Sequence, residues 1–298
     1  MAVPTRRPTL VSTQRQVDAA ARASKRRPRA EVGPVSGELR SGLGTLPAVS
    51  SRAGGEGPYA GLPAFASTGL HVVGLTKRYG AKVAVDSLCF DVGRGQVLGL
   101  LGPNGAGKTT TLLCLAGLLR PEAGEVVLEG RSLGPERSRL VALIPETPEV
   151  YGLLTVWEHL VFVAKSCGLG PEWRGRAEDL TTRLGLGEHL SSLGQELSKG
   201  LKQKTLIAAS VLAGTPVIVL DEPMIGLDPA GQLELKSIVR ELASSGVIVV
   251  LSTHLLESAQ SLCSHVLMLK QGRVVATGAL GELLAGRPLE ELFLDLTR

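Results

Sequence analysis

One stretch of the sequence combines glycines, a lysine and hydroxyl side chains at the spacing G-x-x-x-x-G-K-[ST], which can bind phosphate. Glycine lets backbone N–H groups curl around phosphate oxygens without Cβ clashes. A helix that begins at such a loop adds further N–H donors and the positive end of its dipole. The residues of the stretch are Gly102, Pro103, Asn104, Gly105, Ala106, Gly107, Lys108, Thr109 and Thr110.

An apolar run, residues 97–101, precedes this loop, and a helical pattern over residues 111–119 follows it. Strand, loop and helix in this order are the context in which the pattern works as a phosphate-binding P-loop. Lys108 is then expected to reach the β- and γ-phosphates of a nucleotide, and the Thr109 hydroxyl is expected to ligate Mg²⁺. The alternative is a glycine-rich turn that binds nothing, which the flanking elements disfavour.

Two carboxylates follow a second apolar run, residues 217–220, which is typical of a buried parallel strand. A carboxylate at the carboxyl end of such a strand lies beside the P-loop, so Asp221 is expected to hold Mg²⁺ directly or through water. Glu222, at the strand tip, is expected to polarise a water in line with the γ-phosphate as a general base. The alternative is a strand that ends in ordinary solvated acids.

Composition narrows the class of protein. With 298 residues, of which 44% are hydrophobic, the chain is expected to form one or two domains with a full core. No run approaches 18 uninterrupted apolar residues, so the chain itself is not expected to span a membrane. The cysteines lack C-x-x-C spacing, which predicts reduced core thiols in a cytosolic protein and neither a zinc site nor a disulfide framework. They are Cys89, Cys114, Cys167 and Cys263.

The first 68 residues differ from the rest, because they are rich in Arg, Pro, Gly, Ser and Ala and have no sustained apolar period. They carry ten basic and four acidic side chains, a net +6, which leaves −2 of the total +4 for the remaining chain. We expect residues 1–68 to be a disordered extension and residues 69–298 to fold. The folded part lacks a basic footprint, so no nucleic-acid partner is expected. The basic cluster at residues 25–29 leaves contact with acidic lipid or nucleic acid open as an alternative to a solvated tail.

Alternating strand and helix patterns predict the elements of the folded part. Residues 148–212 have helical patterns, including a capping box that begins at Thr155, and Asp228-Pro229 predicts a further helix start. The predicted strands are residues 71–75, 84–92, 96–101, 125–130, 141–144, 217–220, 247–251, 266–269 and 273–276.

The segment Leu197-Ser198-Lys199-Gly200-Leu201-Lys202-Gln203-Lys204 stands just ahead of the strand that carries Asp221 and Glu222. Ser198 opens a helix there, so its hydroxyl, the N–H groups near Gly200 and the helix dipole can form an anion site. The segment is a variant of the signature Leu-Ser-Gly-Gly-Gln. With its motifs in this order, the chain resembles the ATP-binding subunits of ATP-binding cassette (ABC) transporters over residues 69–298. The form of the signature is most similar to the export-type subgroup, whose permease is a separate subunit.

The resemblance implies an α/β P-loop NTPase fold with a parallel-sheet core, a small antiparallel β subdomain and a helical subdomain at about residues 148–212. It also implies that ATP is sandwiched in a homodimer or a pair of ABC ATPase subunits. In that dimer, Ser198 and Gly200 close over the γ-phosphate held by the opposing subunit.

Three more residues take roles from the resemblance. Tyr79 is expected to stack on adenine, Asp228 to lie in the loop that crosses between subunits, and His254 to contact the γ-phosphate. Taken alone, Tyr79 also fits a partly buried residue at a strand end, and His254 also fits an ordinary surface or core histidine.

The chain departs from the family's pattern at three sites, of which one is minor: Met224-Ile225 stand where a small hydroxyl residue is usual. Glu146 stands where the family has a glutamine; its carboxylate is still expected to bind Mg²⁺ or a water, but it adds negative charge and lacks the amide donor. Lys199 and Leu201 replace a glycine and a glutamine of the signature, whereas Ser198 and Gly200 match it. The change from glutamine to Glu146 is expected to affect the geometry of the site and the rate of hydrolysis.

The implied function is ATP hydrolysis, with Lys108, Glu222 and His254 as catalytic residues and Mg²⁺ as a cofactor. It would drive translocation, in the export direction, through a separate integral membrane permease. The subunit would lie in the cytoplasm, on the inner face of the cell membrane. Two alternatives stay open: a soluble ABC-type ATPase that is not coupled to transport, and a nucleotide-binding regulatory subunit that does not hydrolyse ATP.

Overall fold

The computed structural model describes residues 68–134 and 137–297. The prediction of a disordered extension over residues 1–68 falls, apart from its last residue, outside the described part of the chain. In the described part, no helix is both long and apolar enough to cross a membrane.

The described residues form ten strands, nine α-helices and two short 3-10 helices, at Gly187–His189 and Gly194–Glu196. The strands are β1 (Leu70–Tyr79), β2 (Lys82–Val92), β3 (Val97–Leu101), β4 (Ala123–Leu128), β5 (Arg131–Ser132), β6 (Val141–Ile144), β7 (Val217–Asp221), β8 (Ile248–Ser252), β9 (His265–Lys270) and β10 (Arg273–Ala279). The helices are α1 (Lys108–Leu115), α2 (Arg137–Leu140), α3 (Val156–Ser166), α4 (Trp173–Arg183), α5 (Lys199–Leu212), α6 (Pro229–Ser244), α7 (Leu256–Leu262), α8 (Leu280–Leu284) and α9 (Leu289–Thr297).

A six-stranded sheet in the order β10-β9-β3-β8-β7-β6 forms the centre of the fold. All pairs are parallel except β9 with β10. Strand β7 shows why these strands have continuous apolar sequences: Ile218 and Leu220 join the core on one face, and Val217 and Val219 join the core on the other. A parallel strand that is covered on both faces has no position for a polar side chain until it ends. The predicted parallel-sheet core is confirmed.

A second, antiparallel sheet in the order β2-β1-β4-β5 confirms the predicted small β subdomain. The predicted strand 125–130 was displaced by two residues, because β4 begins at Ala123 and ends at Leu128. Ala123 pairs with Thr76 of β1, so pairing between distant strands overrides the local turn composition.

Residues 148–212 contain α3, α4, α5 and both 3-10 helices, and α5 packs against the other two α-helices. The capping box before α3 is present as predicted: Glu158 N donates to Thr155 Oγ1 at 3.2 Å, and Thr155 N donates to the Glu158 carboxylate at 2.8 Å. The structure therefore has the helical layer that carries the signature segment on α5.

The prediction that all four cysteines are core thiols is wrong for two of them. Cys114 and Cys263 are buried, and burial raises the pKa of these thiols to about 11 and about 12. Cys89 and Cys167 are exposed. Cys89 lies on the outward side of β2, where side chains alternate between core and solvent, and Cys167 follows the last turn of α3.

Arg183, at the end of α4, joins the helical layer to α6. Its guanidinium donates to Glu234 at 2.6 Å and, through two nitrogens, to both carboxylate oxygens of Glu241 at 2.6 and 2.8 Å. Asp179 lies 3.6 Å away on the same helix. The hydrogen bond to Glu241 is the largest cause that raises the pKa of Arg183, and the hydrogen bond to Glu234 raises it further. Arg183 in turn lowers the pKa of Glu241.

Arg183→Ala is expected to lower the free energy of unfolding by about 1–2 kcal/mol, and the melting temperature by roughly 2–8 °C, because a bidentate ion-pair network is lost. The pKa of Glu241 is lowered in the folded state, so this stabilisation is present above the ordinary glutamate value of 4.5 and disappears as the pH falls through the folded value. Circular dichroism melts at pH 7 and pH 3.5 measure both effects. The exposed Arg139 provides the control variant Arg139→Ala, and equal melting of the two variants at pH 7 would contradict the prediction.

Candidate functional site

Residues 102–107 lead from the end of β3 into α1 and form the predicted loop. Gly107 precedes the helix with a φ of +105°, and a Cβ on it would collide with the Ala84 carbonyl oxygen. Glycine is therefore required there for both conformation and space. The first turn of α1 contains no acidic residue and has no side-chain cap, so its N–H groups and dipole are not neutralised from within the helix.

Lys108 is the first residue of α1 and its side chain is buried. The ammonium group donates to the carbonyl oxygens of Gly102 at 2.7 Å and Pro103 at 3.3 Å, so the positive charge lies over the loop. Thr109 and Thr110 follow in the first helical turn. The loop thus brings together a cation, hydroxyl groups and helix N–H donors, which is an arrangement suited to phosphate.

The carboxylates at the end of β7 lie beside this loop. Asp221 and Glu222 are both buried, with 4% and 8% of their surface exposed. Glu222 adopts a left-handed backbone conformation, with φ at +47°, which is uncommon for a residue other than glycine. Such backbone strain is concentrated at functional sites, where the surrounding structure holds it in place.

Glu222 and His254 contact each other directly. His254 Nδ1 lies 3.0 Å from Glu222 Oε1, and the backbone N–H of His254 donates to Glu222 Oε2 at 3.3 Å. The backbone N–H of His254 is the hydrogen-bond donor here, and the imidazole lies within ion-pair distance of the carboxylate. The imidazole is half exposed while the carboxylate is buried, so the pair spans the boundary between the protein and the cleft.

These groups line one cleft of about 340 Å³. Eleven of the predicted site residues line it together: Tyr79, Asn104, Gly105, Gly107, Lys108, Thr109, Thr110, Glu146, Asp221, Glu222 and His254. Tyr79 is half exposed at the end of β1, with the Lys77 ammonium 5.7 Å from its ring centre. The predicted residues Gly102, Pro103 and Ala106 belong to the loop without lining the cleft.

Three further predicted residues, Ser198, Gly200 and Asp228, are not among the residues that line this cleft. Ser198 caps α5, with Leu201 N donating to its hydroxyl at 3.3 Å. A Cβ on Gly200 would lie 2.7 Å from the Gly226 carbonyl oxygen, so the signature helix and the loop of residues 226–228 are in close contact.

Asp228 begins α6 as predicted, but its side chain binds a residue of another helix. It occupies the N-cap position of α6 and Pro229 follows at the first helical position, as predicted, but its carboxylate makes no capping hydrogen bond. It binds Lys204 of α5 at 2.8 Å instead, and this bond lowers the pKa of Asp228. The signature helix is thus tied to the start of α6 by an ion pair.

Three residues at the site were not predicted from sequence: Lys82 and Ala84, which line the cleft from β2, and Ser252, whose hydroxyl binds Asp221. Nothing in the local pattern of β2 distinguishes Lys82 from an ordinary exposed strand residue. Ser252 had a signal, since it is the polar end of the apolar run 247–251 on a strand parallel to β7.

The oxygen groups in the cleft fit a divalent cation. The hydroxyl of Thr109 and the carboxylates of Asp221 and Glu146 line the same space, and hard cations such as Mg²⁺ prefer oxygen ligands. The donor set is therefore compatible with the Mg²⁺ ion that accompanies a nucleotide.

Comparisons with known proteins identify the family of this chain. Residues 85–225 match the model of the family described as ABC transporter. The chain is 35% identical over 238 residues to the ABC-type transporter ATP-binding protein EcsA of Bacillus subtilis, which covers 77% of this chain and 96% of that protein. It is 37% identical to the Nod factor export ATP-binding protein I of Ralstonia nicotianae, over 72% of this chain and 68% of that protein.

A solved ATP-binding subunit of an ABC transporter has the same fold, with a TM-score of 0.74 and 38% identity, over 78% of this chain and all of that one. The chain therefore belongs to the ABC transporter family, as one of its ATP-binding subunits.

Proposed function

We propose that this chain hydrolyses ATP in the cleft and that Glu222 is the general base. The observation that carries the proposal is the buried Glu222 carboxylate, which is held by His254 at 3.0 Å in the cleft that the P-loop lines. A carboxylate in this position can accept a proton from a water that attacks the γ-phosphate. The imidazole of His254 can orient this carboxylate. Lys108 would bind the phosphates, and Tyr79, at the edge of the cleft, would stack on the adenine.

Thr109, Asp221 and Glu146 would hold Mg²⁺, which when bound neutralises charge on the phosphate oxygens. The signature helix would complete the site of a second subunit, in a homodimer or a pair with another ABC ATPase. Two features support this: Ser198, Gly200 and Asp228 do not line their own chain's cleft, and the Lys204–Asp228 ion pair ties the helix that begins after Ser198 to Asp228.

We further propose that hydrolysis drives export through a separate membrane permease, with this subunit on the cytoplasmic side of the membrane. The direction is supported by the signature variant and by relatives such as the Nod factor export protein. A surface for the permease is offered by three exposed side chains, Tyr151, Leu153 and Phe162, here named the apolar patch. Their exposed fractions are 60%, 80% and 48%.

The apolar patch is held in place and lies close in sequence to the cleft. The Tyr151 N–H donates to His159 Nε2 at 2.9 Å, and the rings of Tyr151 and Phe162 meet edge to face at 5.5 Å. Residues 147–150 connect Tyr151 to Glu146, which lines the cleft. Large apolar side chains that face water together mark a surface for a partner, and the short connection gives that partner a route to the nucleotide.

The test is capture of the tagged protein from detergent-solubilised membranes in the presence of ATP. A protein with several membrane spans is expected to co-purify with the native chain, and the yield is expected to fall at least about tenfold for Phe162→Glu, because a buried charge opposes docking. The control is Leu118→Glu, at a leucine that is 65% exposed and lies outside the apolar patch. Capture of ribosomal or other cytosolic partners in place of a membrane protein would contradict the transport assignment.

A further inference from the structure

We infer that Ser252 is a positioning residue whose hydroxyl binds the Asp221 carboxylate and the backbone N–H of Glu222. Ser252 is fully buried at the end of β8. Its Oγ donates to Asp221 Oδ1 at 2.5 Å and accepts a hydrogen bond from Glu222 N at 3.1 Å. The inference rests on the proposed role of Asp221 toward Mg²⁺, and it extends that role to a residue outside the cleft lining.

The register of the sheet explains why the hydroxyl reaches Asp221. Strands β7 and β8 are parallel, and Asp221 is paired with Ser252. Neighbouring residues in such a pair direct their side chains to the same face of the sheet. The rest of β8 is Ile-Val-Val-Leu, so Ser252 is the polar side chain of an otherwise apolar, fully buried strand. A buried hydroxyl needs hydrogen-bond partners, and the partners of Ser252 are the Asp221 carboxylate and the Glu222 backbone N–H.

The bond to Asp221 leaves the carboxylate little freedom. Within residues 68–134 and 137–297, Ser252 is the one side chain that hydrogen-bonds to Asp221. The hydroxyl occupies Oδ1 and so orients the carboxylate as a whole. Groups that orient a metal ligand in this way affect metal affinity or activity by about 10- to 100-fold when they are removed.

The bonds to Glu222 support its left-handed backbone. The Glu222 N–H is shared between Ser252 Oγ and the Ser252 carbonyl oxygen, at 3.1 and 3.2 Å. This turn directs the Glu222 carboxylate to His254, which comes two residues after Ser252. One buried side chain therefore links the metal-binding carboxylate, the general base and the histidine loop.

The test measures metal binding directly, with Mn²⁺ as a spectroscopic probe for the Mg²⁺ position. In electron paramagnetic resonance titrations with ATP present, Ser252→Ala is expected to raise the Mn²⁺ dissociation constant at least about tenfold. The affinity for ATP in EDTA is expected to stay within about twofold of native, because the P-loop donors are untouched. Ser252→Thr keeps the hydroxyl and is expected to bind Mn²⁺ as the native chain does.

Thr181→Val is the matched control, because it removes a buried hydroxyl that bonds only to the Glu178 carbonyl oxygen of α4. It is expected to leave Mn²⁺ binding unchanged. If Ser252→Ala does not fold, Ser252→Cys replaces it, since a thiol is a weak donor of similar size.

The outcomes separate this inference from the proposed function. Native affinity for Mn²⁺ in Ser252→Ala, or an equal loss of metal-free ATP affinity, would overturn the positioning role alone. Absence of Mn²⁺ binding by the native chain with ATP would overturn the metal site itself. Weaker Mn²⁺ binding in Ser252→Ala, with ATP affinity in EDTA retained, supports the inference.

Discussion

Glu222→Gln is expected to lower the rate of ATP hydrolysis by about 10²- to 10⁴-fold while ATP binding is retained. Glutamine has nearly the same shape and keeps an oxygen for the His254 N–H, but its amide cannot accept a proton from the attacking water. The carboxylate is buried and held at 3.0 Å from the imidazole, so water from bulk solvent cannot easily replace it. Release of inorganic phosphate measures the rate, and titration with a fluorescent ATP analogue measures binding.

Glu222→Gln also tests whether ATP holds two subunits together as a dimer. If hydrolysis separates the two subunits, the variant is expected to accumulate as a closed dimer with ATP, and size-exclusion chromatography with light scattering detects it. Glu188→Gln is the control, since Glu188 is an exposed carboxylate in the first 3-10 helix. Native turnover in Glu222→Gln would contradict the general-base role. Absence of turnover in the native chain would favour the regulatory alternative that binds ATP without hydrolysing it.

Lys108→Ala is expected to weaken ATP binding by about 10- to 100-fold. The ammonium lies over the loop at 2.7 Å from the Gly102 carbonyl oxygen, where it can turn from neutral carbonyls to phosphate oxygens. Hydrogen bonds to charged groups contribute about 1.5–3 kcal/mol, which corresponds to this loss of affinity. Isothermal titration calorimetry with ATP measures the change directly.

Two measurements make the lysine test specific. Lys165→Ala removes an exposed lysine in the last turn of α3 and is expected to bind ATP as the native chain does. The melting temperature of Lys108→Ala without nucleotide shows whether the loop still folds, because the lysine also bonds to Gly102 and Pro103. ATP affinity unchanged in a folded Lys108→Ala protein would contradict the assigned role.

The features that could be predicted from sequence have local causes. The P-loop is one continuous stretch, so its glycines, lysine and threonines specify their own conformation and chemistry. The buried strands were predictable because a strand covered on both faces must be apolar along its length. The position of Asp221 beside the loop followed from a general rule, since the carboxyl ends of parallel strands meet at one edge of a sheet.

The features that were missed depend on pairs of distant residues. Asp228 begins α6 as predicted, but its ion pair with Lys204 of α5 depends on the packing of two helices and was not predicted. Cys89 is exposed because it falls on the outward side of β2, and one residue of register decides that side. Local composition does not encode either outcome.

By itself, the sequence determined the family-defining motifs, the parallel core and the residues proposed to bind phosphate and Mg²⁺, because each of these depends on a few adjacent positions. Only the tertiary structure decided that Ser252 supports Asp221 and Glu222, that Glu222 contacts His254, and that Arg183 joins α4 to α6. These contacts join residues 30 to 58 positions apart. Strand register and helix packing bring them within hydrogen-bond distance, and both arise from the burial of the whole core.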